Sequence, residues 1–159
     1  MKKIITLIVL IMTLNSCAEK IVINREVDST EYGKMLLGTQ SFDQFHKEPY
    51  KVWFDENYKI YPTDKPSIEA LKKAKINSYS ITVFLGTWCG DSKRNFPRLM
   101  KILDETKFPK SKLHIIGVNR KKQSPNGEDA KYNIVKVPTI ILEKYGKEIG
   151  RITEEPETG

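Results

Sequence analysis

The chain has little of what metal or nucleotide chemistry requires. It carries two cysteines and two histidines in 159 residues. His46 and His114 stand far apart, and no Cys/His spacing suits a metal ion, so neither a metal nor a cofactor is expected. His114 lies within a strand pattern and reads as a core or edge histidine. Gly33, Gly38 and Gly86 are isolated and do not make a phosphate loop. Basic residues outnumber acids 27 to 20, for a net charge of +7. They are scattered, as in Lys72-Lys73 and Lys121-Lys122, without the clustered patch and interleaved aromatics of a nucleic-acid surface. No apolar run approaches the ~20 residues that span a bilayer as a helix. What remains is a chain with 39% hydrophobic and 30% charged residues, suited to one soluble globular domain.

The N-terminus reads as a targeting segment. Lys2-Lys3 give a charged start and Ile4 to Leu14 a short apolar core, the pattern of a secretory signal. The segment ends Leu14-Asn15-Ser16-Cys17, which resembles a bacterial lipobox. That resemblance implies residues 1–17 as signal peptide and Cys17 as the lipid-bearing first mature residue, with the domain tethered outside the cytoplasm, in the periplasm or at the outer surface. Ordinary cleavage that discards Cys17 is the alternative. Either way, Cys89 is left as the one unmodified thiol of an exported protein, which is either buried and inert or kept for its reactivity.

Residues 18–34, polar and mixed in charge, read as a tether, and 35–77 as an N-terminal extension with the first helix of the domain. Within the extension, Ser41 to Lys47 suggests a small helix. Val52-Trp53-Phe54 and Tyr58-Lys59-Ile60-Tyr61 suggest strand pieces, since aromatic and β-branched residues suit a half-buried sheet. Thr63-Asp64-Lys65-Pro66 is a helix start. Tyr79 to Leu85 is a buried strand. After it Phe96, Leu99, Met100 and Leu103 repeat at helical spacing, interrupted by Pro97. Leu113 to Val118 is a further strand, Glu128 to Asn133 a short helix, and Val137 to Leu142 a strand beginning at proline. Tyr145-Gly146 then turns the chain into Lys147 to Ile152. Strand, helix, strand, helix and hairpin make an α/β layer with a mixed sheet.

Trp88-Cys89-Gly90-Asp91-Ser92-Lys93 lies at the first strand-to-helix junction. A cysteine at a helix start meets unpaired N–H groups and the positive end of the helix dipole, which favour a thiolate. Lys93 and Arg94 act in the same sense. Asp91 opposes them if its carboxylate turns toward the sulfur. Ser92, one turn on, offers a hydroxyl that can hydrogen-bond a thiolate.

With these residues in view, Ser78 to Ile152 resembles the thioredoxin superfamily. The likeness rests on Trp88-Cys89-Gly90, on Pro97 eight residues past the cysteine, and on Ala130-x-Tyr132-x-Ile134-x-x-Val137-Pro138-Thr139 followed by Tyr145-Gly146-Lys147-Glu148. The preceding residues, with Trp53-Phe54 and Tyr58, resemble the N-terminal extension of exported bacterial thioredoxin-like lipoproteins. The resemblance implies a thioredoxin-like α/β fold, a central mixed sheet flanked by helices, over 78–159. It implies a cis bond before Pro138 that faces Cys89, with Val137, Pro138 and Thr139 holding a bound peptide strand and Trp88 on the rim beside the thiol. It also implies a last helix. Thr153-Glu154-Glu155-Pro156 reads as the start of one, but the sequence given stops at Gly159, so that helix is expected to be missing; apolar side chains near Val83, Ile115 and Ile141 then lack cover in a truncated chain, or the N-terminal extension or a partner fills the gap.

The departures are specific. Ser92 stands where the resolving cysteine would be, Asp91 where a proline is usual, and Val83 where the family buries an aspartate that assists that second thiol. The two losses at 83 and 92 are consistent with each other. Three readings follow: single-thiol exchange through Cys89 with protein or small-molecule thiols and disulfides, a non-catalytic binding module that uses the Pro138 groove, or a vestigial cysteine in an accessory domain.

Overall fold

Ile81, Val83 and Leu85 alternate with Thr82 and Phe84, so one strand supplies apolar side chains to both faces of a sheet. All five are buried. In the computed structural model, which describes residues 22–31 and 33–156, this strand is β3 (Ser80–Leu85). It lies inside a six-stranded sheet with β1 (Arg25–Ser29), β2 (Gly33–Gln40), β4 (Leu113–Gly117), β5 (Thr139–Lys144) and β6 (Lys147–Thr153). The order across the sheet is β1-β2-β4-β3-β5-β6. Only β3 and β4 run parallel, with Val83 opposite Ile115, and the other pairs are antiparallel. The fold is thus mixed α/β and thioredoxin-like. Residues 1–17, expected to be a signal peptide ending in a lipobox-like Cys17, lie outside the described residues.

Among the described residues four α-helices flank the sheet: α1 (Tyr50–Ile60), α2 (Lys65–Lys73), α3 (Gly90–Glu105) and the short α4 (Glu128–Lys131). Asp64 caps α2 by accepting the Ser67 N–H at 2.9 Å, with Pro66 in the first turn. The small helix near Ser41 is a 3-10 turn over Phe42–His46. Pro97 lies inside α3, where its ring nitrogen cannot donate to the carbonyl one turn back.

Four expectations are corrected. Val52-Trp53-Phe54 and Tyr58 to Ile60 are not strand pieces but parts of the single helix α1. Helical spacing overrides β propensity here: Tyr50, Trp53, Phe54 and Tyr58 share one face and pack inward. Residues 25–29 are not part of a tether. They form strand β1, and its polar residues suit an exposed edge paired on one side to β2, Glu26 opposite Leu36. Val83, Ile115 and Ile141 do not lack cover, being 0%, 2% and 0% exposed. The helix that sequence reasoning missed accounts for part of that cover. Phe54 of α1, with Phe45 and with Phe96 of α3, packs over Val83 and Ile115 in one cluster, while Ile141 joins Phe84, Ile116, Val118, Ile134 and Val137 in the other. Residues 154–156 are not helical: Glu154 and Glu155 form a bend after β6.

Gly117 lets β2 and β4 approach closely, since a Cβ there would sit 2.2 Å from the Leu36 carbonyl oxygen. Among the described residues no helix is long and apolar enough to cross a membrane.

Two tyrosines tie α1 to the rest of the domain. Tyr50 donates to Glu26 on β1 at 3.0 Å and Tyr58 donates to Asp104 on α3 at 2.9 Å. Burial, and then the carboxylate partner, push both hydroxyls above their ordinary value, Tyr58 to about 12 and Tyr50 further. The folded state therefore holds these protons more tightly than the unfolded chain. The stability they give is complete below the ordinary tyrosine value of ~10 and falls as the pH rises from there toward 12. Chemical denaturation midpoints are expected to drop between pH 10 and 12. With Tyr58→Phe, which keeps the ring and removes the ionising group, that drop should be smaller.

Candidate functional site

The parallel pair β3–β4 ends at one edge of the sheet, and the loop leaving β3 there carries the cysteine. Loops at the carboxyl ends of parallel strands are where α/β folds build sites. Gly86-Thr87-Trp88-Cys89 make the turn, closed by the Cys89 N–H donating to the Gly86 carbonyl at 2.8 Å. Thr87 accepts the Leu36 N–H at 3.3 Å and so anchors the turn to β2. Trp88 donates its indole N–H to the Val118 carbonyl at 2.9 Å. Its ring lies on Gly86, where a Cβ would meet it at 2.5 Å. Glycine at 86 is thus required by the seat of the indole.

Cys89 is the N-cap residue of α3, with extended backbone and no side-chain capping bond. Its carbonyl accepts the Lys93 N–H at 3.0 Å, the first bond of the helix. The amides of Gly90, Asp91 and Ser92 precede that bond and have no helical partner. The thiol is half-buried and pairs with no other sulfur among the described residues. It donates to the Val137 carbonyl at 3.4 Å. The Val137–Pro138 peptide bond is cis. Val137, Pro138 and Thr139 are all buried. Pro138 gives its carbonyl to the Glu154 N–H at 2.7 Å, and Thr139 turns its hydroxyl to the Lys136 carbonyl at 2.8 Å. Of these three, Val137 is the residue whose carbonyl touches the sulfur.

Ser92 is fully buried, and its hydroxyl oxygen accepts the Gly86 N–H at 3.2 Å. No hydrogen bond joins it to Cys89. It braces the turn that holds the thiol. Asp91 pairs with Arg94 at 2.9 Å, and Arg94 also pairs with Glu155. The Asp91 carboxylate is thereby engaged by the helix itself, which answers the question its position raised. Gly90 is exposed and has nothing within 4 Å of where a Cβ would be. Lys93 lies half-exposed one turn past the cysteine. Val83 is in the core at 0% exposure, so no carboxylate sits beneath the site from that position.

Three residues escaped sequence reasoning. Arg120, in the loop after β4, stacks its guanidinium over Trp88 at 5.1 Å. Lys34 on β2 and Trp53 on α1 line a cleft that includes Trp88. Trp53 had a signal in its spacing from Tyr50. Arg120 and Lys34 had none, because only the β2–β4 pairing brings them near the turn. His46 packs edge-on against Phe42 and Phe54, with ring centroids 4.8 and 5.3 Å apart, and His114 is exposed on β4. Among the described residues no His/Cys/Asp/Glu group is arranged to hold a metal.

The thioredoxin family model matches residues 68–158. Among solved structures, a protein of unknown function from Pseudomonas aeruginosa is similar at 15% identity, over 76% of this chain and 75% of that one, with a TM-score of 0.56. A crystallised HIV epitope scaffold is similar at 16% identity, over 74% and 73%, with a TM-score of 0.54. These two likenesses concern the fold. Mitochondrial thioredoxin 3 of Saccharomyces cerevisiae aligns at 24% identity over 63% of this chain and 90% of that one, with a TM-score of 0.38. No curated protein matches.

Proposed function

The chain belongs to the thioredoxin family, and on that premise we propose that it carries out thiol–disulfide exchange through one sulfur, Cys89, at the extracytoplasmic face of a bacterial envelope. The supporting observation is the placement of that sulfur. It sits half-exposed at the start of α3, 3.4 Å from the Val137 carbonyl, with a buried serine three residues on, where the motif's second cysteine would be.

In this reading the Cys89 thiol gives its proton to solvent and the thiolate attacks one sulfur of a partner disulfide. The partner's S–S bond breaks, a new one forms to Sγ, and the departing thiolate takes up a proton. Ser92 has no sulfur with which to displace the partner. An external thiol completes the cycle: it attacks the partner's sulfur, takes the partner away as a new disulfide and returns Cys89 to the thiolate. Isomerase-like and deglutathionylating chemistry both fit this scheme. The test is a trap: the protein is expressed in an oxidising compartment, quenched with acid, and its disulfide-linked partners identified. Recurrent partners lost in Cys89→Ala are expected. An empty trap favours the alternative, a non-catalytic module holding a peptide at the Pro138 groove.

The envelope location is supported by Lys2-Lys3, the apolar stretch Ile4 to Leu14 and the lipobox-like Leu14-Asn15-Ser16-Cys17. With Cys17 as the lipidated residue, Cys17→Ser should move the protein from the membrane pellet to the soluble fraction. Unchanged sedimentation would remove the anchor from the account.

A further inference from the structure

A cleft of about 310 Å³ opens beside Trp88, the residue before the reactive sulfur. Three separate elements bring a cation to it: Lys34 from β2, Lys93 from α3 and Arg120 from the loop after β4. No carboxylate is among its lining residues. The rings of Tyr50, Trp53 and Trp88 share its walls with Gly33, Pro49 and Thr87.

Of the acids nearest these cations, Glu26 and Asp91 are already engaged, while Asp28 lies opposite Lys34 across the β1–β2 pair. Glu26 holds Lys34 at 2.8 Å and accepts from Tyr50 at 3.0 Å. Asp91 is drawn to Arg94. Lys93 makes no ion pair among the described residues. Arg120 lies with its face on the Trp88 ring. A group that enters alongside Trp88 therefore meets cationic donors over an aromatic floor, in a space at the small end of ligand sites. An ammonium group there would meet like charge. A carboxylate would gain charge-assisted hydrogen bonds in a partly desolvated setting.

We propose that the disulfide partner of Cys89 carries a carboxylate close to its sulfur, received by Lys93 and its neighbours in this cleft. The inference rests on the exchange reading above and adds the substrate class to it. Two sources share the chemistry, a small acidic disulfide and a protein cystine flanked by Asp or Glu.

The test measures mixed-disulfide formation at Cys89 of the full chain, by intact mass and peptide mapping, with three aliphatic disulfides. Cystamine is cationic, bis(2-hydroxyethyl) disulfide neutral and 3,3′-dithiodipropionate anionic. Their intrinsic reactivities differ, so the quantity compared is the anion-to-neutral rate ratio between proteins. It should fall about fivefold in Lys93→Gln, as expected for removal of one charge at a recognition rim, and also in wild type at about 0.5 M NaCl. The cystamine-to-neutral ratio should rise in Lys93→Gln. Lys34→Gln should lower the anion-to-neutral ratio less, because Glu26 already engages that ammonium. Lys73→Gln, on α2 and outside the cleft, removes the same net charge and should leave the ratios as they were. Equal ratios in Lys93→Gln and Lys73→Gln, with all three disulfides still reacting, would overturn the inference and leave the exchange reading standing. Failure of every disulfide to react at Cys89 would remove the exchange reading and the inference with it. A Glu-flanked peptide disulfide whose rate ratio to its Gln-flanked counterpart falls more in Lys93→Gln than the small-anion ratio does assigns the cleft to protein partners, and the reverse order to small acids.

Discussion

Ser92→Cys is expected to shorten the life of a Cys89 mixed disulfide by at least about a hundredfold, because a thiol held one helical turn away competes at an effective concentration far above that of millimolar thiol in solution. Residues 89 and 92 are the N-cap and third helical position of α3, which bring their side chains to the same end of the helix. Position 92 is fully buried, and the larger sulfur must be taken up by a small shift of the β3–α3 turn. The cost is the bond now accepted from the Gly86 N–H, about 1 kcal/mol. The readout is the decay of a preformed adduct at Cys89 without added thiol. In the variant it should decay to a disulfide between Cys89 and the new thiol, while in wild type it should persist. Equal decay would mean that the geometry around 89 and 92 differs from the one described.

Phe96→Ala is expected to remove about 3–5 kcal/mol, the usual cost of truncating a buried phenylalanine to alanine. Phe96 is 1% exposed and joins three elements: its ring centroid lies 4.6 Å from that of Phe45 and 5.9 Å from that of Phe54 on α1. Against a domain stability of about 5–15 kcal/mol, this loss lowers the melting temperature by roughly 10–20 °C. The same residue sits in α3, the helix that begins at Cys89, so the variant should also lose exchange activity at temperatures where the wild type keeps it. Phe96→Leu, which retains most of the volume, should recover a large part of both. A melting temperature unchanged in Phe96→Ala would place the ring outside the core described.

The part of the fold readable from sequence is the part where two signals coincide. Ile81 to Leu85 is both apolar and β-branched, and α3 has both a start signal and a clean helical repeat broken only at Pro97. The hairpin β5–β6 has its turn residues at Tyr145-Gly146. Where signals conflict, the stronger local propensity misleads. Trp53 and Phe54 suit a strand by type, but Tyr50, Trp53, Phe54 and Tyr58 follow a helical period, and burial against Phe96 decides for the helix. Arg25–Ser29 has no apolar alternation, since an edge strand needs none. It forms because β2 offers an unpaired side.

The site was readable in its residue types and less so in their directions. Cys89, Trp88 and the Val137–Pro138 pair follow from the motifs. That Ser92 turns inward to Gly86 does not, because it depends on how tightly the β3–α3 turn closes. Asp91 sits beside the sulfur in sequence, and its pairing with Arg94 is an i, i+3 contact that follows from helix geometry once the helix start is fixed. The basic cleft is a product of sheet order: β2 lies beside β4, and only that adjacency brings Lys34 and Arg120 to the same side of Trp88.

The central claim is that Cys89 reacts and that Ser92, at the position one turn on, supplies no second sulfur to release its partner. The full chain is treated with bis(2-hydroxyethyl) disulfide, freed of excess reagent, and followed by peptide mapping over time before and after addition of a thiol. The account predicts an adduct on Cys89 that persists until thiol is added and then disappears. An adduct that leaves Cys89 without added thiol, or a Cys89 that stays unmodified while the protein remains folded, would contradict it.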